Sequence, residues 1–285
     1  MRVTVRAFLA ALLVVAAGVP HARVQDPTAP RPDAVRFAVI GDNGTGDRYE
    51  YEVAQQMIAL HRRSPFDMVL MLGDNIYGRQ DPRNFVQKFV EPYRPLLDAG
   101  VRFYASLGNH DDQRNRLYGP FNMGGERYYT FARQNVRFFV LDSDYLDAKQ
   151  VAWIDEALAN AREDWKICYF HHPLYSDGRR HGSQVDLRVV LEPLFIKHGV
   201  NVVFSGHDHI YERLKPQRGI HYFICGASGQ LRKGDLRRSE MTAAAFDEDQ
   251  SFMLVEVAGA DLFFRAISRT GRIVDSGVVH KEPRP

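Results

Sequence analysis

The composition of the 285-residue chain is that of an ordinary soluble globular protein. Apolar residues make up 45% and charged residues 25%, which excludes a disordered chain, a collagen-like repeat and a disulfide scaffold. The formal net charge is +2, and loss of Arg2 and Arg6 with an N-terminal leader would leave equal numbers of basic and acidic residues. A chain so close to neutral is not expected to bind nucleic acid or another bulk polyanion.

The first 22 residues have the pattern of a signal peptide. Arg2 and Arg6 precede the apolar run Ala7–Val19, which is shorter than the roughly 20 residues needed to span a bilayer. We therefore expect a secreted or periplasmic protein without membrane contact once the leader is removed, and an uncleaved anchor is the alternative. The proline-rich stretch 23–34 is expected to be a disordered linker before a single domain at 35–285.

From Val35 onward, apolar runs and amphipathic stretches predict a succession of strands and helices. Strands are expected at Val35–Ile40, Met68–Leu72, Arg102–Ser106, Arg127–Ala132, Val136–Leu141, Trp165–Phe170, Val200–Phe204, His221–Cys225, Phe252–Val257, Leu262–Ile267 and Ile273–Val278. Helices are expected at Tyr49–Arg63, around Asn84–Val90, at Asp147–Arg162 and at Val185–His198. No repeat interrupts this order, so we predict one α/β domain with helices outside a system of mixed sheets.

Cys168 and Cys225 are the two cysteines of the chain. They are too few for a disulfide framework, and the sequence allows either one bridge or two buried thiols. We favour the buried thiols.

Aspartate, asparagine and histidine collect just after the apolar runs. In chain order these residues are Asp42, Asp74, Asn109 with His110, His171 with His172, and His207 with His209. Because the loops beyond strand ends in an α/β sheet converge on one crevice, we expect these five loops to be neighbours. Oxygen and imidazole ligands without cysteine suit iron, zinc, manganese or magnesium.

Each of these residues also has a purely structural interpretation. Asp42 could cap the following helix, and Asp74 could stabilise its own turn. The segment Gly206–His209 is more specific, because residues two apart in an extended segment point to the same side, about 6 to 7 Å apart, where two imidazoles can reach two neighbouring ions. The five segments in this order favour a metal site over five unrelated turns.

The five segments resemble the ordered motifs of the calcineurin-like metallophosphoesterases. They are GDNG at Gly41, GDNIY at Gly73, GNHD at Gly108, FHHP at Phe170 and GHDH at Gly206. The match extends from about Val35 to Glu212, and the pattern is similar to the purple acid phosphatase branch, especially its small tartrate-resistant type. Many relatives have a histidine two places after the first aspartate, where this chain has Gly44. The resemblance implies a four-layer αββα sandwich of two mixed β-sheets flanked by helices.

The resemblance also implies a dinuclear metal centre that contains a ferric ion and a divalent ion, either iron, zinc or manganese. The implied ferric ligands are Asp42, Asp74, Tyr77 and His209, and the implied divalent ligands are Asp74, Asn109, His171 and His207, with Asp74 bridging. Since a phenol has an ordinary pKa near 10, Tyr77 coordinates well only as phenolate, which requires a strong Lewis acid such as ferric iron. The alternative for Tyr77 is a partly buried aromatic side chain beside the loop.

His110 and His181 are the candidate catalytic residues on the same resemblance. His110 follows the implied ligand Asn109, and His181 lies ten residues after His171, near the place where small purple phosphatases have a histidine. Protonation of the leaving alkoxide is the general-acid work that such an imidazole can do. Of the remaining polar residues nearby, His172 is expected to be structural, and at least one of Arg179 and Arg180 is expected to be solvated.

The function implied by the resemblance is hydrolysis of a small phosphomonoester by metal-bound hydroxide, with an acidic pH optimum, in an exported monomer. Phosphodiesters or nucleotides are the alternative substrates, because the motifs do not specify the leaving group. A third hypothesis is a metal-containing binding module without turnover. Absence of a metal ligand or of His110 from the sequence would favour such a module, but every expected position carries the expected residue.

Overall fold

The computed structural model describes residues 31 and 33–281. The predicted signal peptide and most of the predicted linker lie outside the described residues. Arg31 belongs to the predicted linker, but it makes an ion pair with Glu256 at 2.6 Å and lies over the ring of Phe263. This end of the linker therefore packs against the domain. None of the described helices has the length and apolar character needed to cross a membrane.

The described residues form thirteen strands and five α-helices. The strands are β1 (Val35–Ile40), β2 (Met68–Leu72), β3 (Arg102–Ser106), β4 (Tyr129–Arg133), β5 (Val136–Val140), β6 (Trp165–Tyr169), β7 (Val202–Ser205), β8 (Tyr211–Leu214), β9 (His221–Cys225), β10 (Thr242–Phe246), β11 (Ser251–Ala258), β12 (Asp261–Ser268) and β13 (Ile273–His280). The helices are α1 (Arg48–His61), α2 (Pro82–Phe85), α3 (Glu91–Asp98), α4 (Ala148–Asn160) and α5 (Val185–His198). A π-helical turn at Val86–Val90 joins α2 to α3, and 3₁₀ turns cover Gln113–Leu117 and Gly119–Phe121.

Two mixed sheets pack against each other. Sheet A has the order β13-β12-β11-β1-β2-β3, with β1, β2 and β3 parallel, and sheet B has the order β10-β8-β9-β7-β6-β5-β4, with β5, β6, β7 and β9 parallel. Phe37 of β1 meets Phe138 of β5 with ring centroids 5.3 Å apart, inside the core between the sheets. Helices α1 and α3 cover the outer face of sheet A, and α4 and α5 cover that of sheet B. The four-layer αββα sandwich is confirmed.

The continuous apolar run of β2 follows from this layering. Leu70 and Leu72 point into the core between the sheets, while Val69 and Met71 point toward the helices outside sheet A. A parallel strand covered on both faces is apolar at every position, because each face of its pleat is buried.

Two predicted strands begin two residues later than expected. The strand predicted at Arg127–Ala132 begins at Tyr129, where its pairing with β5 starts. The strand predicted at Val200–Phe204 begins at Val202, where its pairing with β6 starts. In both cases the predicted segment begins before the hydrogen-bonded ladder does.

The helical segment predicted around Asn84–Val90 is present, and it consists of the short α2 and the π-helical turn that leads into α3. The Glu91 N–H donates to the carbonyl of Val86, five residues back. Helix α3 follows although it contains Pro92 and Pro95, which have no N–H to donate to a regular ladder.

The sequence does not predict β8 and β10. Strand β8 contains the charged residues Glu212 and Arg213. Each has a partner that is distant in the chain, which the sequence does not reveal. Glu212 accepts a hydrogen bond from Thr242 Oγ1 at 2.7 Å, and Arg213 pairs with Asp275 at 2.7 Å. Strand β10 contains three alanines and depends on its pairing with β8.

Both cysteines are free and buried, as predicted. Cys168 lies in the core between sheet B and its helices, and Cys225 lies in the core between the two sheets. Burial raises the pKa of the Cys225 thiol to about 12 and raises that of Cys168 further. Neither thiol is therefore reactive at neutral pH.

Candidate metal centre

The predicted ligands meet at the carboxyl ends of parallel strands in both sheets. Asp42 follows β1, Asp74 and Tyr77 follow β2, Asn109 follows β3, His171 follows β6, and His207 and His209 follow β7. Parallel strands bring their carboxyl ends to the same edge of a sheet, and the packing of two sheets brings two such edges together. The expectation that the five loops are neighbours is confirmed by the contacts described below.

The backbone of these loops is unusual at three of the predicted ligands. Asp42 and Asp74 both have φ of 53°, and His207 has φ of 67°, in the left-handed region that non-glycine residues rarely occupy. Such a conformation costs about 1 to 2 kcal/mol per residue and persists only where the surroundings enforce it. Here the His207 N–H donates to Asp42 Oδ2 at 2.8 Å, which links two of the strained residues.

Two motif glycines allow the loops to approach this closely. A Cβ on Gly108 would lie 2.3 Å from Asp74 Oδ1, and a Cβ on Gly206 would lie 2.5 Å from Asp42 Oδ2. Real side chains do not tolerate such distances. The glycines are therefore required by the carboxylates that pack against them.

The first group of ligand atoms is formed by Asp42, Tyr77 and His209. Tyr77 Oη donates to Asp42 Oδ1 at 3.1 Å and lies 3.2 Å from His209 Nε2. His209 Nε2 lies 3.2 Å from the same Asp42 oxygen. Asp74 belongs to the same cluster, since ligand atoms of Asp42, Asp74 and His209 all lie within 4.8 Å of one another.

The second group is centred on His171. His171 Nδ1 lies 2.9 Å from the carbonyl oxygen of Leu72, so Nδ1 carries the proton and Nε2 presents a lone pair. That Nε2 lies 3.0 Å from Asn109 Oδ1, 3.5 Å from Asp74 Oδ1 and 3.1 Å from His207 Nδ1. Neither the amide oxygen nor the carboxylate has a hydrogen to donate to Nε2. A metal cation between these atoms would satisfy their lone pairs at once.

The two groups together fit a dinuclear metal centre. Oxygen and imidazole atoms gather there without a thiol, which suits hard and borderline cations. Asp74 lies beside both groups, close to Asp42 and His209 on one side and to His171 on the other. His172 lies beside the second group. Ligand atoms of His171, His172 and His207 are all within 4.8 Å of one another, and the His172 ring lies 4.3 Å from that of His207.

Burial pushes the side chains of this site toward their neutral forms. It raises the pKa of Asp42 to about 7 and raises the pKa of the Tyr77 phenol far above its ordinary value, with a further rise from Asp42 and Asp74. Burial also lowers the pKa of His209 to about 4 and lowers that of His207 still further. Neutral imidazoles are the metal-binding form, and a bound cation reverses the shifts of the carboxyl and phenol groups.

Asp111 is a residue of the site that the sequence reasoning did not single out. Its buried carboxylate accepts hydrogen bonds from the backbone N–H groups of Asn75, Ile76 and Gly108 at 3.0, 3.1 and 3.0 Å. These bonds tie the loop after β2 to the loop after β3. Its position as the last residue of the GNHD segment was the available signal.

His110 and His181 line the open side of the centre. The exposed His110 ring lies 4.8 Å from the ring of Tyr77, and the His110 N–H donates to Asp74 Oδ1 at 2.9 Å. The exposed His181 ring lies 4.1 Å from that of His207. Both imidazoles can therefore reach a ligand held at the metals.

No catalytic role is indicated for the three other polar residues near the motifs, which are His172, Arg179 and Arg180. His172 Nδ1 lies 3.0 Å from Ser143 Oγ, which also accepts from the His172 N–H at 3.0 Å. These bonds favour the structural interpretation of His172. Arg179 and Arg180 are both exposed, and the Arg179 N–H donates to the Asp235 carbonyl at 2.8 Å. A further arginine near the centre, Arg232, was missed because it lies well past the end of β9 and not directly after that apolar run.

Comparisons with known proteins agree with this geometry. Residues 35–211 match the family model of the calcineurin-like phosphoesterases. Tartrate-resistant acid phosphatase type 5 of Mus musculus is 24% identical over 309 residues, which cover 90% of this chain and 94% of that protein.

Two solved structures share the fold. GAP50, the anchor in the inner membrane complex of Plasmodium, aligns with a TM-score of 0.76 at 18% identity, covering 88% of this chain and 90% of its own. The purple acid phosphatase PPD1 from yellow lupin seeds aligns with a TM-score of 0.73 at 18% identity, covering 87% of this chain and 54% of its own. Because the matched residues span more than half of the chain and all five loops of the centre, the chain belongs to the calcineurin-like phosphoesterase family and is a metal-dependent phosphoester hydrolase.

Proposed function

We propose that the protein is an exported phosphatase of the purple acid phosphatase type, which cleaves phosphomonoesters at a centre of one ferric and one divalent ion. The observation that carries this proposal is the place of Tyr77 Oη, 3.1 Å from Asp42 Oδ1 and 3.2 Å from His209 Nε2. A phenol placed among these ligand atoms favours a trivalent ion, because only a strong Lewis acid removes its proton near neutral pH.

The loop geometry explains why a tyrosine takes this place. At Gly44, where many relatives have a histidine, a Cβ would lie 1.8 Å from the carbonyl oxygen of Asn75. No side chain fits there with this backbone. The Tyr77 N–H instead donates to the Gly44 carbonyl at 2.9 Å, which holds the two loops together and directs Tyr77 toward Asp42.

The ligand roles follow from the two groups of atoms. Asp42, Tyr77 and His209 would hold the ferric ion, and Asn109, His171 and His207 would hold the divalent ion, with Asp74 between them. When bound, the two cations supply Lewis-acid polarisation of the phosphoryl group and activation of water. Asn109 contributes a neutral oxygen, so the site keeps the net positive charge that an anionic substrate requires.

The two histidines on the open side complete the reaction. His110 is placed to orient the bound phosphoryl group beside Tyr77. His181, beside His207, is placed to give a proton to the leaving oxygen, which is worth about 10² to 10⁴ in rate for a poor leaving group. Monoester preference is supported by the acid phosphatases among the relatives, and export is supported by the pattern of the first 22 residues.

Comparison of p-nitrophenyl phosphate with bis-p-nitrophenyl phosphate tests the substrate class. We expect the monoester to have the larger kcat/KM, with an optimum below pH 7. A larger value for the diester would contradict the phosphomonoesterase. An Asn109→Ala variant serves as the control, and equal hydrolysis by this variant and the wild type would contradict the metal centre itself.

The N-terminal sequence of protein recovered outside the cytoplasm tests export, and retention of Met1 in that fraction would contradict a cleaved leader.

A further inference from the structure

Arg232 lies on the loop after β9, at the edge of the candidate metal centre. The Arg232 N–H donates to the carbonyl of His209 at 2.9 Å, and two residues earlier the Gln230 N–H donates to the carbonyl of Asp42 at 3.0 Å. The loop therefore runs directly between two of the proposed ferric ligands. These main-chain hydrogen bonds fix the course of the loop.

The Arg232 guanidinium has no partner that explains its burial. Its Nη1 atom is buried and makes no hydrogen bond, and the guanidinium forms no ion pair within residues 31 and 33–281. Other half-buried arginines are paired, as Arg127 is with Asp142 at 2.8 Å and Arg213 is with Asp275 at 2.7 Å. An unpaired buried donor on a cation is costly. Such a group is expected where an anion binds.

Arg232 lies close to the open side of the centre. Its N–H binds the carbonyl of His209, one of the proposed ferric ligands. The His181 ring lies 4.1 Å from the ring of His207, two residues before His209. The loop that carries Arg232 and the His181 imidazole therefore border one small volume beside the metal ligands.

The loops that carry His181 and Arg232 form one wall of this volume. The Arg179 N–H donates to the Asp235 carbonyl at 2.8 Å, and the Arg237 N–H donates to the Asp177 carbonyl at 3.0 Å. Asp177 Oδ2 in turn accepts from the Ser239 N–H at 2.8 Å. This clamp holds the loop that carries Arg232 in place before a substrate binds, which reduces the entropy lost on binding.

We propose that Arg232 is a substrate-binding residue, whose guanidinium holds a non-bridging oxygen of the phosphate ester and then of the phosphate product. This inference rests on the proposed function. A guanidinium presents a planar fork of N–H donors that matches two phosphate oxygens, which a lysine cannot reproduce.

The test compares Arg232→Gln and Arg232→Lys with Lys233→Gln. Lys233 is the next residue, it is exposed, and its substitution makes the same change in net charge. We expect Arg232→Gln to raise the KM for p-nitrophenyl phosphate and the Ki for inorganic phosphate by about 10- to 100-fold, the worth of a hydrogen bond to a charged group, with a smaller change in kcat. Arg232→Lys should recover part of this loss, and Lys233→Gln should match the wild type.

A second readout does not depend on turnover. Inorganic phosphate should raise the thermal unfolding midpoint of the wild type and of Lys233→Gln, and should raise that of Arg232→Gln much less. An Arg232→Gln variant with wild-type KM, Ki and midpoint shift would overturn the role of Arg232. Should this variant not fold, Arg232→Lys decides, and wild-type KM and Ki in that variant would overturn it equally. Absence of hydrolysis by the wild type would instead contradict the proposed function.

Discussion

Substitution of Gly108 by alanine tests how closely the loops must approach at the metal centre. The added Cβ would lie 2.3 Å from Asp74 Oδ1, 2.4 Å from the Asp74 backbone nitrogen and 2.9 Å from His171 Nδ1. Gly108 is not among the glycines with positive φ, so the new methyl group brings close contacts without backbone strain. The variant therefore displaces mainly Asp74, the residue proposed to bridge the two ions, with a weaker effect on His171.

The size of the effect follows from these distances. Ordinary contacts of a Cβ begin at 3.4 Å, so the carboxylate of Asp74 has to move by about 1 Å from its place at 2.3 Å. A misplacement of about 1 Å in a catalytic group costs about 10²-fold in rate. Overpacking of a buried site costs about 1 to 3 kcal/mol of stability. We expect Gly108→Ala to lose about 100-fold in kcat and about 1 to 3 kcal/mol in the free energy of unfolding.

The assay combines initial rates on p-nitrophenyl phosphate, metal content per chain and urea unfolding. Gly119→Ala is the matched control, because a Cβ at Gly119 meets nothing within 4 Å. The control should keep wild-type kcat and metal content. A Gly108→Ala enzyme with two metals per chain and a kcat close to that of the wild type would refute this reasoning about Asp74.

Three further predictions concern residues outside the metal ligands. His181→Gln should lower kcat for an alkyl phosphate by about 10²-fold or more and for p-nitrophenyl phosphate much less, because nitrophenolate leaves without a proton, and equal losses would exclude a general acid. Burial raises the pKa of Glu212 from 4.5 to about 7, so its contribution to the free energy of unfolding is full below pH 4.5 and is lost as the pH rises through 7. Urea unfolding of Glu212→Gln should lack this part of the pH dependence, and an unaltered dependence would refute it. A reductant should leave the thermal unfolding midpoint unchanged because Cys168 and Cys225 are unpaired, and a clear lowering would indicate a disulfide.

The strands of the core could be predicted from the sequence because their burial is complete. In β2, every residue is buried between two layers, so the chain shows an uninterrupted apolar run with a definite end at Gly73. The ligands could be located for a related reason. They come directly after such runs, and parallel strands place those ends together.

The elements that could not be predicted depend on partners distant in the chain. The buried Glu212 of β8 is tolerated because Thr242 Oγ1 and the N–H of Asp177 donate to its carboxyl group, and neither contact is visible in a local pattern. Arg232 was missed for the same reason. Nothing local separates it from the nearby solvated Lys233, and its role depends on a loop that passes between His209 and Asp42.

Elemental analysis combined with a visible spectrum, on wild type and Tyr77→Phe purified without added metal, tests the central claim most directly. We predict about one iron and one further metal per wild-type chain, with a phenolate-to-iron absorption band in the visible range. The Tyr77→Phe variant should fold and lose this band. A colourless, fully active wild type that contains only zinc would contradict the ferric centre, and so would a band that persists in Tyr77→Phe.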